Sequence, residues 1–458
     1  MFHDPDFTPV RTNEQPTFRS ALRNFLENWP PAAYREDFWS LSGIWPIIPK
    51  TVYLSDPELI EEMLIARPEA FGRDKLTTAA LSANIADDAL FFSEGAEWRW
   101  QRRALAPAFR HENLLALVPI FAKCAKAQCA AWRQLPRNTA VDVTQPMSEV
   151  TFSIIEHALL GATGTFDRAR YLSAMLTGFK GMGWQRFYAL LGLPKWLPFP
   201  GSREIDRKLR YLYAETARLV AERRLAGHAH APAILDLLLS AKDPETGRML
   251  TDGELISNLY GLMVAGHETS AVALAWSLWL LAKDQASQER LRNEVRDVVG
   301  ESDIDRNAVE NLPFARQVIQ EAMRLFPPVA ALGRQPREDT TLGPYKVLKK
   351  EPIYVAIWAL HRHEKLWDEP NAFDPDRFAP EKAKGRHRCA YMPFGAGPRI
   401  CIGMSFAMLE MTTILAALIR DFRFTPVPGP RIELSPDFTL RPKGGLPLFV
   451  EAIKPTAN

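Results

Sequence analysis

Apolar residues recur every three or four positions over residues 204–224, 251–283, 284–299, 312–325 and 403–421, the spacing of helices with a face against a core. Shorter runs at 341–347, 352–357, 431–440 and 446–452 are bounded by Gly and Pro and predict strands. The expected fold is mainly α with small peripheral β-sheets. The 251–283 segment is the longest; at 1.5 Å per residue it would cross most of a domain, on the order of 45 Å. It is apolar all round, through Leu259, Met263, Ala265, Ala273 and Leu280, as a helix buried in a core should be. Yet its middle is polar. There Ala265-Gly266-His267-Glu268-Thr269-Ser270 places a glycine inside a helix, which costs about 1 kcal/mol relative to alanine and implies a close approach by something else. Thr269 and Ser270 can bond back to preceding carbonyls, bending the helix and freeing backbone groups.

Composition narrows the class. With 458 residues, 47% hydrophobic and 24% charged, the chain can bury a large core. No repeat or Gly/Ser linker divides it, so one domain is expected over 1–458, with 1–50 as an N-terminal extension packed on it and no fused reductase. The net charge of +2 gives no global case for a nucleic-acid partner. Four cysteines, Cys124, Cys129, Cys389 and Cys401, do not form a disulfide framework. The start lacks the basic and apolar regions of a secretory signal, and the longest apolar stretch, 271–282, falls short of the roughly 20 residues that span a bilayer. A cytoplasmic monomer without a membrane anchor is expected.

The candidate chemistry centres on Cys401. Phe394-Gly395-Ala396-Gly397-Pro398-Arg399-Ile400-Cys401-Ile402-Gly403 delivers the cysteine to the start of an apolar helix, where backbone N–H groups and the helix dipole favour a thiolate, the metal-ligating form. Gly395, Gly397 and Gly403 allow unusual dihedrals and close approach to a flat ligand. A buried, inert cysteine is the plainer alternative. A dinucleotide-binding turn would need glycine at 400, where Ile400 stands, and a zinc site would need a nearby Cys or His, whereas Cys389 is twelve residues away. Nor do His267 and Glu268 start an HExxH site, since Ala271 occupies the second histidine position. His228 with His230 and His361 with His363 read as surface or loop histidines, and Cys124 and Cys129 as structural. Within 312–325, Glu321 sits in the apolar stripe of Val318, Ala322 and Leu325, so it needs a bonded partner.

FGAGPRICIG resembles the cysteine loop of the cytochrome P450 superfamily, and further motifs in order, together covering roughly residues 56–452, strengthen the resemblance. It implies the P450 fold and haem b, with Cys401 as the proximal iron ligand, Phe394 packed beside it and Arg399 reaching a propionate. Thiolate ligation pushes electron density onto iron and favours O–O cleavage. Trp98-Arg99-Trp100-Gln101-Arg102-Arg103 is similar to the propionate-binding helix, implying Trp98 and Arg102 at one propionate and Arg334 at the other. The segment around Ala265 and Gly266 resembles the oxygen-binding groove, in which an acid–threonine pair, here Glu268 and Thr269, delivers protons; glutamate replaces the aspartate of many members. Phe373-Asp374-Pro375-Asp376-Arg377-Phe378 resembles the second arginine motif and implies a structural triad of Glu321, Arg324 and Arg377. The activity implied is a monooxygenase inserting one atom of O2 into a lipophilic substrate, a terpenoid, fatty acid or aromatic. Electrons would come from a ferredoxin or flavodoxin with its NAD(P)H reductase, docking on Arg99, Arg103 and 381–388. Residues 172–200, with Phe179, Trp184, Phe187, Tyr188, Leu190 and Trp196, and the loop 75–92 would cover the substrate. A peroxygenase using hydrogen peroxide and a haem-binding sensor or carrier are the alternatives.

Overall fold

The computed structural model describes residues 2–3, 31–41, 50–75, 77–78, 88–136, 138–161, 166–191, 193–194, 196–226, 233–429, 432–436 and 439–453. Strands β1 (Phe2–His3), β2 (Phe38–Leu41) and β3 (Thr51–Leu54) precede α1 (Pro57–Glu61), which runs on as a π turn over Glu62–Ala66, and β4 (Phe71–Arg73). Then come α2 (Gly95–Leu105), α3 (His111–Leu115), α4 (Val118–Arg133), β5 (Ala140–Asp142), α5 (Thr144–Ile155), α6 (Arg168–Lys180), α7 (Met182–Leu191), α8 (Ser202–Ala226) and α9 (Ile234–Leu239). The second half holds α10 (Asp252–Lys283), α11 (Gln285–Val298), α12 (Arg306–Glu310), α13 (Pro313–Leu325), β6 (Leu332–Pro336), β7 (Thr340–Leu342), β8 (Tyr345–Val347), β9 (Ile353–Val355), α14 (Ile357–Leu360), β10 (Ala372–Phe373) and α15 (Pro380–Ala383). The chain ends with α16 (Met404–Asp421), β11 (Phe422–Pro426), β12 (Glu433–Pro436), β13 (Leu440–Lys443) and β14 (Pro447–Ala452).

The sequence periodicity places five helices, α8, α10, α11, α13 and α16, to within two residues, and leaves the 16-residue α4 unplaced. Their ends have visible causes. Thr251 caps α10: its hydroxyl accepts from Glu254 N–H while the Glu254 carboxylate takes the Thr251 N–H at 2.8 Å, a reciprocal box that satisfies two otherwise orphaned donors. Asp284 caps α11 through Ser287 N–H. The strand boundaries move further. Residues 341–347 form two strands, β7 and β8, turned by Gly343 at φ +52. Residues 352–357 contain only β9 before α14 begins. Residues 431–440 separate into β12 and the start of β13, which pair antiparallel.

Helix α10 runs through the core, packed by α5, α8, α13, α16 and β11. A mixed sheet in the order β2-β3-β9-β6-β4 lies at one side; β3 and β9 are parallel and the other pairs antiparallel. Its β4–β6 register sets Arg73 directly opposite Arg334. From the N-terminal extension, β1 pairs with β10 and β2 with β3.

Two expectations change. The sequence offers no stretch long enough to span a bilayer, but among the described residues one helical stretch, His111–Arg133, is long and apolar enough by length and hydropathy. Its apolar face, Val118, Phe121, Cys124, Ala125, Cys129 and Trp132, is buried, and α4 packs on α16 and α5. His361 and His363 are buried rather than at the surface, because the turn after α14 folds inward; His361 Nε2 accepts the Met392 N–H at 3.0 Å. His228 and His230 lie outside the described residues.

Candidate active site

Four consecutive side chains of α10 point four ways, as a turn of about 100° per residue requires. His267 packs edge-on against Phe152 of α5, with ring centroids 5.4 Å apart. Glu268 turns to the β12–β13 hairpin, where it accepts from Thr439 Oγ1 at 2.6 Å and pairs with Arg441. Ser270 is buried, as is Glu410 on α16, and among the described residues neither Ser270 Oγ nor the Glu410 carboxyl oxygens have a hydrogen-bond partner. Thr269 keeps accessible surface, as do Leu262, Ala265 and Gly266, which share its face at helical spacing. A helix otherwise closed by packing thus has one open face at its middle. The Thr269 hydroxyl donates to the Ala265 carbonyl at 2.8 Å, so its lone pairs remain free to accept from the open side. The close approach that Gly266 permits is made by Ile155 of α5: a Cβ at 266 would lie 2.8 Å from Ile155 Cδ1.

The cysteine loop is built by backbone. Gly395 and Gly397 lie at φ +76 and +74, and a Cβ on Gly397 would fall 2.1 Å from the Leu64 carbonyl oxygen. This glycine is needed for contact with the π turn after α1, not with a ligand. Gly403, expected to share the unusual geometry, has an ordinary φ of −90 and caps α16. Cys401 N–H donates to Phe394 O at 2.9 Å and closes the loop. Cys401 is accessible although buried Met392 and Phe406 flank the loop, so it borders a hollow within the fold. Burial pushes its thiol pKa up, and the Gly403 N–H and the Arg102 guanidinium pull it partly back. Position before a helix therefore does not by itself make a thiolate here. A bound cation would.

Arginines gather beside this loop. Arg399 lies over the Trp98 ring at 4.4 Å and donates to Ser93 O at 3.0 Å. Arg73 and Arg334 face each other across β4 and β6. Burial, then the charges of Arg399 and Arg334, bring Arg73 down to about 9; burial, then Arg399, bring Arg334 down to about 10. Of the carboxylates at hand, Glu94 holds Arg337 at 2.7 Å and the Arg73 backbone N–H, and Asp74 Oδ1 accepts from Tyr354 and Thr77 while its Oδ2 is buried without a hydrogen-bond partner. Among the described residues, Arg73, Arg102, Arg334 and Arg399 make no ion pair, and Arg73 Nε and Arg399 Nη1 are buried without a hydrogen-bond partner. Guanidinium groups crowded this way need an anion. Arg73 was not legible in the sequence, since only strand register brings it opposite Arg334.

The supporting triad is present. Arg324 donates to both Glu321 oxygens at 2.6 and 2.8 Å, and to the carbonyls of His361, Pro370 and Ala372. Arg377 Nε lies 3.3 Å from Glu321 Oε1. The expected basic docking face is mostly neutralised. Arg99 pairs with Glu69, Arg103 with Asp243 and Glu245, and Arg388 with Glu61, while Arg386 stacks on Trp367 and Phe378. Lys384 stays exposed, and among the described residues its ammonium makes no ion pair. Glu61, His387 and Cys389 bring ligand-type atoms within 4.8 Å of one another, though Arg388 already pairs with Glu61.

A family model described as cytochrome P450 matches residues 32–449. Cyclooctat-9-en-7-ol 5-monooxygenase from Streptomyces melanosporofaciens is 32% identical, over 83% of this chain and 82% of its own. The human ultra-long-chain fatty acid omega-hydroxylase is 30% identical, over 90% of this chain and 82% of its own. A crystal structure of a cytochrome P450 (CYP102L1) superposes with a TM-score of 0.79 at 27% identity, over 92% of this chain and 93% of that one. Haem, which the family uses, would bring two carboxylates to the unpaired arginines and an iron to the accessible cysteine; the donor set fits. This chain belongs to the cytochrome P450 family and is a haem-thiolate monooxygenase.

Proposed function

We propose that the protein holds haem b through Cys401 and inserts one atom of O2 into a lipophilic substrate, using electrons from a separate ferredoxin or flavodoxin with its NAD(P)H reductase. The observation that carries this reading is four guanidinium groups without ion pairs beside an accessible cysteine. In this assignment Cys401 is the metal ligand and Phe394 packs beside it. Trp98 and Arg102 serve one propionate; Arg334 and Arg399, joined by Arg73, serve the other. Ala265, Gly266 and Thr269 form the opposite wall. Haem supplies the oxygen-activating chemistry, and the surrounding side chains orient it, exclude water and move protons. Thr269 accepts a hydrogen bond from the groove, its own proton being held by Ala265. Glu268 delivers protons only by exchanging its Thr439 and Arg441 partners.

A lipophilic substrate is supported by the exposed aromatics of the 172–200 segment, where Trp184, Phe187 and Trp196 remain uncovered. The side chains of Phe179 and Leu190, and residues 79–87 of the 75–92 loop, lie outside the described residues. The relatives' names offer two compound classes for trial, a cyclic alcohol of the cyclooctat-9-en-7-ol type and a very long fatty acid. The four cysteines are free thiols, which suits a reducing, cytoplasmic compartment.

The test is spectral. Purified protein titrated with such compounds should lose its iron-bound water signal with at least one. Cys401→Ser should lose the thiolate-type spectrum of the reduced carbon monoxide complex. If Cys401→Ser keeps that spectrum, the ligand assignment fails.

A further inference from the structure

Outside the residues assigned to haem, three side chains of metal-ligating type converge between α1 and the segment that leads into the cysteine loop. Glu61 is the last residue of α1. His387 and Cys389 belong to a turn closed by the Ala390 N–H on the His387 carbonyl at 2.9 Å. One ligand atom from each of the three lies within 4.8 Å of the others, and His387 Nε2 is 2.9 Å from Glu61 Oε2. Both elements are fixed from below, because Cys389 and Met392 share one apolar core with Leu59, Ile60, Met63 and Leu64 of α1 and its π turn. Cys389 is wholly buried, whereas the Glu61 and His387 side chains keep 31% and 35% of their surface. The cluster therefore has a packed floor and an opening to solvent.

An ion pair accounts for only part of it. Arg388 takes Glu61 Oε1 and leaves Oε2 turned to His387. Cys389 is a free thiol, and a thiol adds nothing to a carboxylate–guanidinium pair. Imidazole, thiolate and carboxylate together make a borderline-soft donor set, which suits zinc and not magnesium or calcium. Tetrahedral zinc sets its ligand atoms about 3.3–3.8 Å apart, so the widest gap here closes by about 1 Å. The half-exposed Glu61 and His387 have room to make that movement. Arg388, kept on the other carboxylate oxygen, then orients the ligand as outer partners of metal sites do.

We propose that Glu61, His387 and Cys389 form a binding site for a zinc-class divalent cation, through Oε2, Nε2 and Sγ, with the fourth position open to solvent. On binding, the Cys389 S–H bond breaks, an S–metal bond forms and the proton leaves to water. The His387 proton now sits on Nε2, because Nδ1 accepts the Cys389 N–H at 3.2 Å. It passes to Nδ1 through solvent as that long contact opens. Nothing is oxidised or reduced. The bound cation ties α1 to the 387–389 turn, and the π turn after α1 is the one whose Leu64 carbonyl meets Gly397 of the cysteine loop. The site shares no residue with the haem assignment.

Zinc alone, added to purified, chelator-washed holoprotein, is the probe. Calorimetric titration should give one zinc per chain, and the zinc X-ray absorption edge should show one sulfur at about 2.3 Å with nitrogen and oxygen ligands at about 2.0 Å. Cys389→Ser and His387→Gln should each weaken binding about a hundredfold, and Cys389→Ser should also remove the sulfur shell. Arg388→Gln should keep binding at full stoichiometry. Urea midpoints of the metal-free variants, matched to the parent, show that each is folded. In the parent, zinc should raise that midpoint; in Cys389→Ser it should not. Zinc held without a sulfur ligand, or with equal affinity in Cys389→Ser, is surface binding and overturns the proposal, as does no binding in the parent. Cys389→Ser should leave the reduced carbon monoxide spectrum unchanged, so this reading and the haem assignment fail separately.

Discussion

At the scale of residues, the arginine cluster makes a claim about the empty and loaded protein together. Arg73 and Arg334 face each other across paired strands, and like charges so placed are destabilising, by roughly 0.2–1 kcal/mol. Arg73→Leu should therefore raise the urea midpoint of haem-free protein slightly while haem leaves the loaded protein faster, measured by transfer to an acceptor protein. A lower midpoint without haem would mean that Arg73 supports the fold rather than the ligand. Glu410 makes a pH prediction whose sign is fixed by its environment. Burial raises its pKa from the carboxylate range near 4.5 to about 8, so between those values the folded state binds more protons than the unfolded one. Stability supplied by the protonated acid is full below 4.5 and is lost as pH rises to about 8. Glu410→Gln should lack this loss and exceed the parent at pH 9, by on the order of 3–5 kcal/mol as an upper bound, in denaturant titrations at both ends.

Elements bring different groups under load. Helix α13 carries Glu321 and Arg324, both wholly buried, so Arg324→Ala leaves a carboxylate short of its main partner and three carbonyls without a donor. Such a break should cost about 3–5 kcal/mol, and lysine should not restore it because a point charge cannot reproduce the forked contacts. Denaturant unfolding of both variants checks this. The cysteine loop depends on Gly397 for a close backbone approach, since the nearest atom is the Leu64 carbonyl oxygen and φ is positive. Gly397→Ala should destabilise by about 3 kcal/mol and release haem, whereas Gly403→Ala, at an ordinary φ, should be tolerated. The tie between Glu268 and Arg441 joins α10 to the β12–β13 hairpin. Arg441→Ala should raise amide exchange in 433–443 without changing exchange in α16.

Across the whole molecule, charge that looks like a docking face in one dimension is largely paired in three. Lys384→Glu should slow electron transfer from an acidic donor at low salt, and the effect should shrink as rising salt shortens the Debye length. Arg388→Glu also breaks the pair with Glu61, so a loss of stability should accompany any slower transfer there. Stopped-flow reduction at several ionic strengths separates the two. The primary structure alone determined the elements whose signal is local: the helices α8, α10, α11, α13 and α16, the loop from Phe394 to Gly403 and the buried need of Glu321. These follow from periodicity, loop composition and the cost of an unpaired carboxylate, all of which act over a few residues. What only the tertiary structure decided is relative placement. Strand register set Arg73 against Arg334, and the helical turn sent Glu268 and Thr269 to different surroundings. Each depends on packing between segments far apart in the chain, where one residue of slip or a rotation of about 100° changes which groups meet.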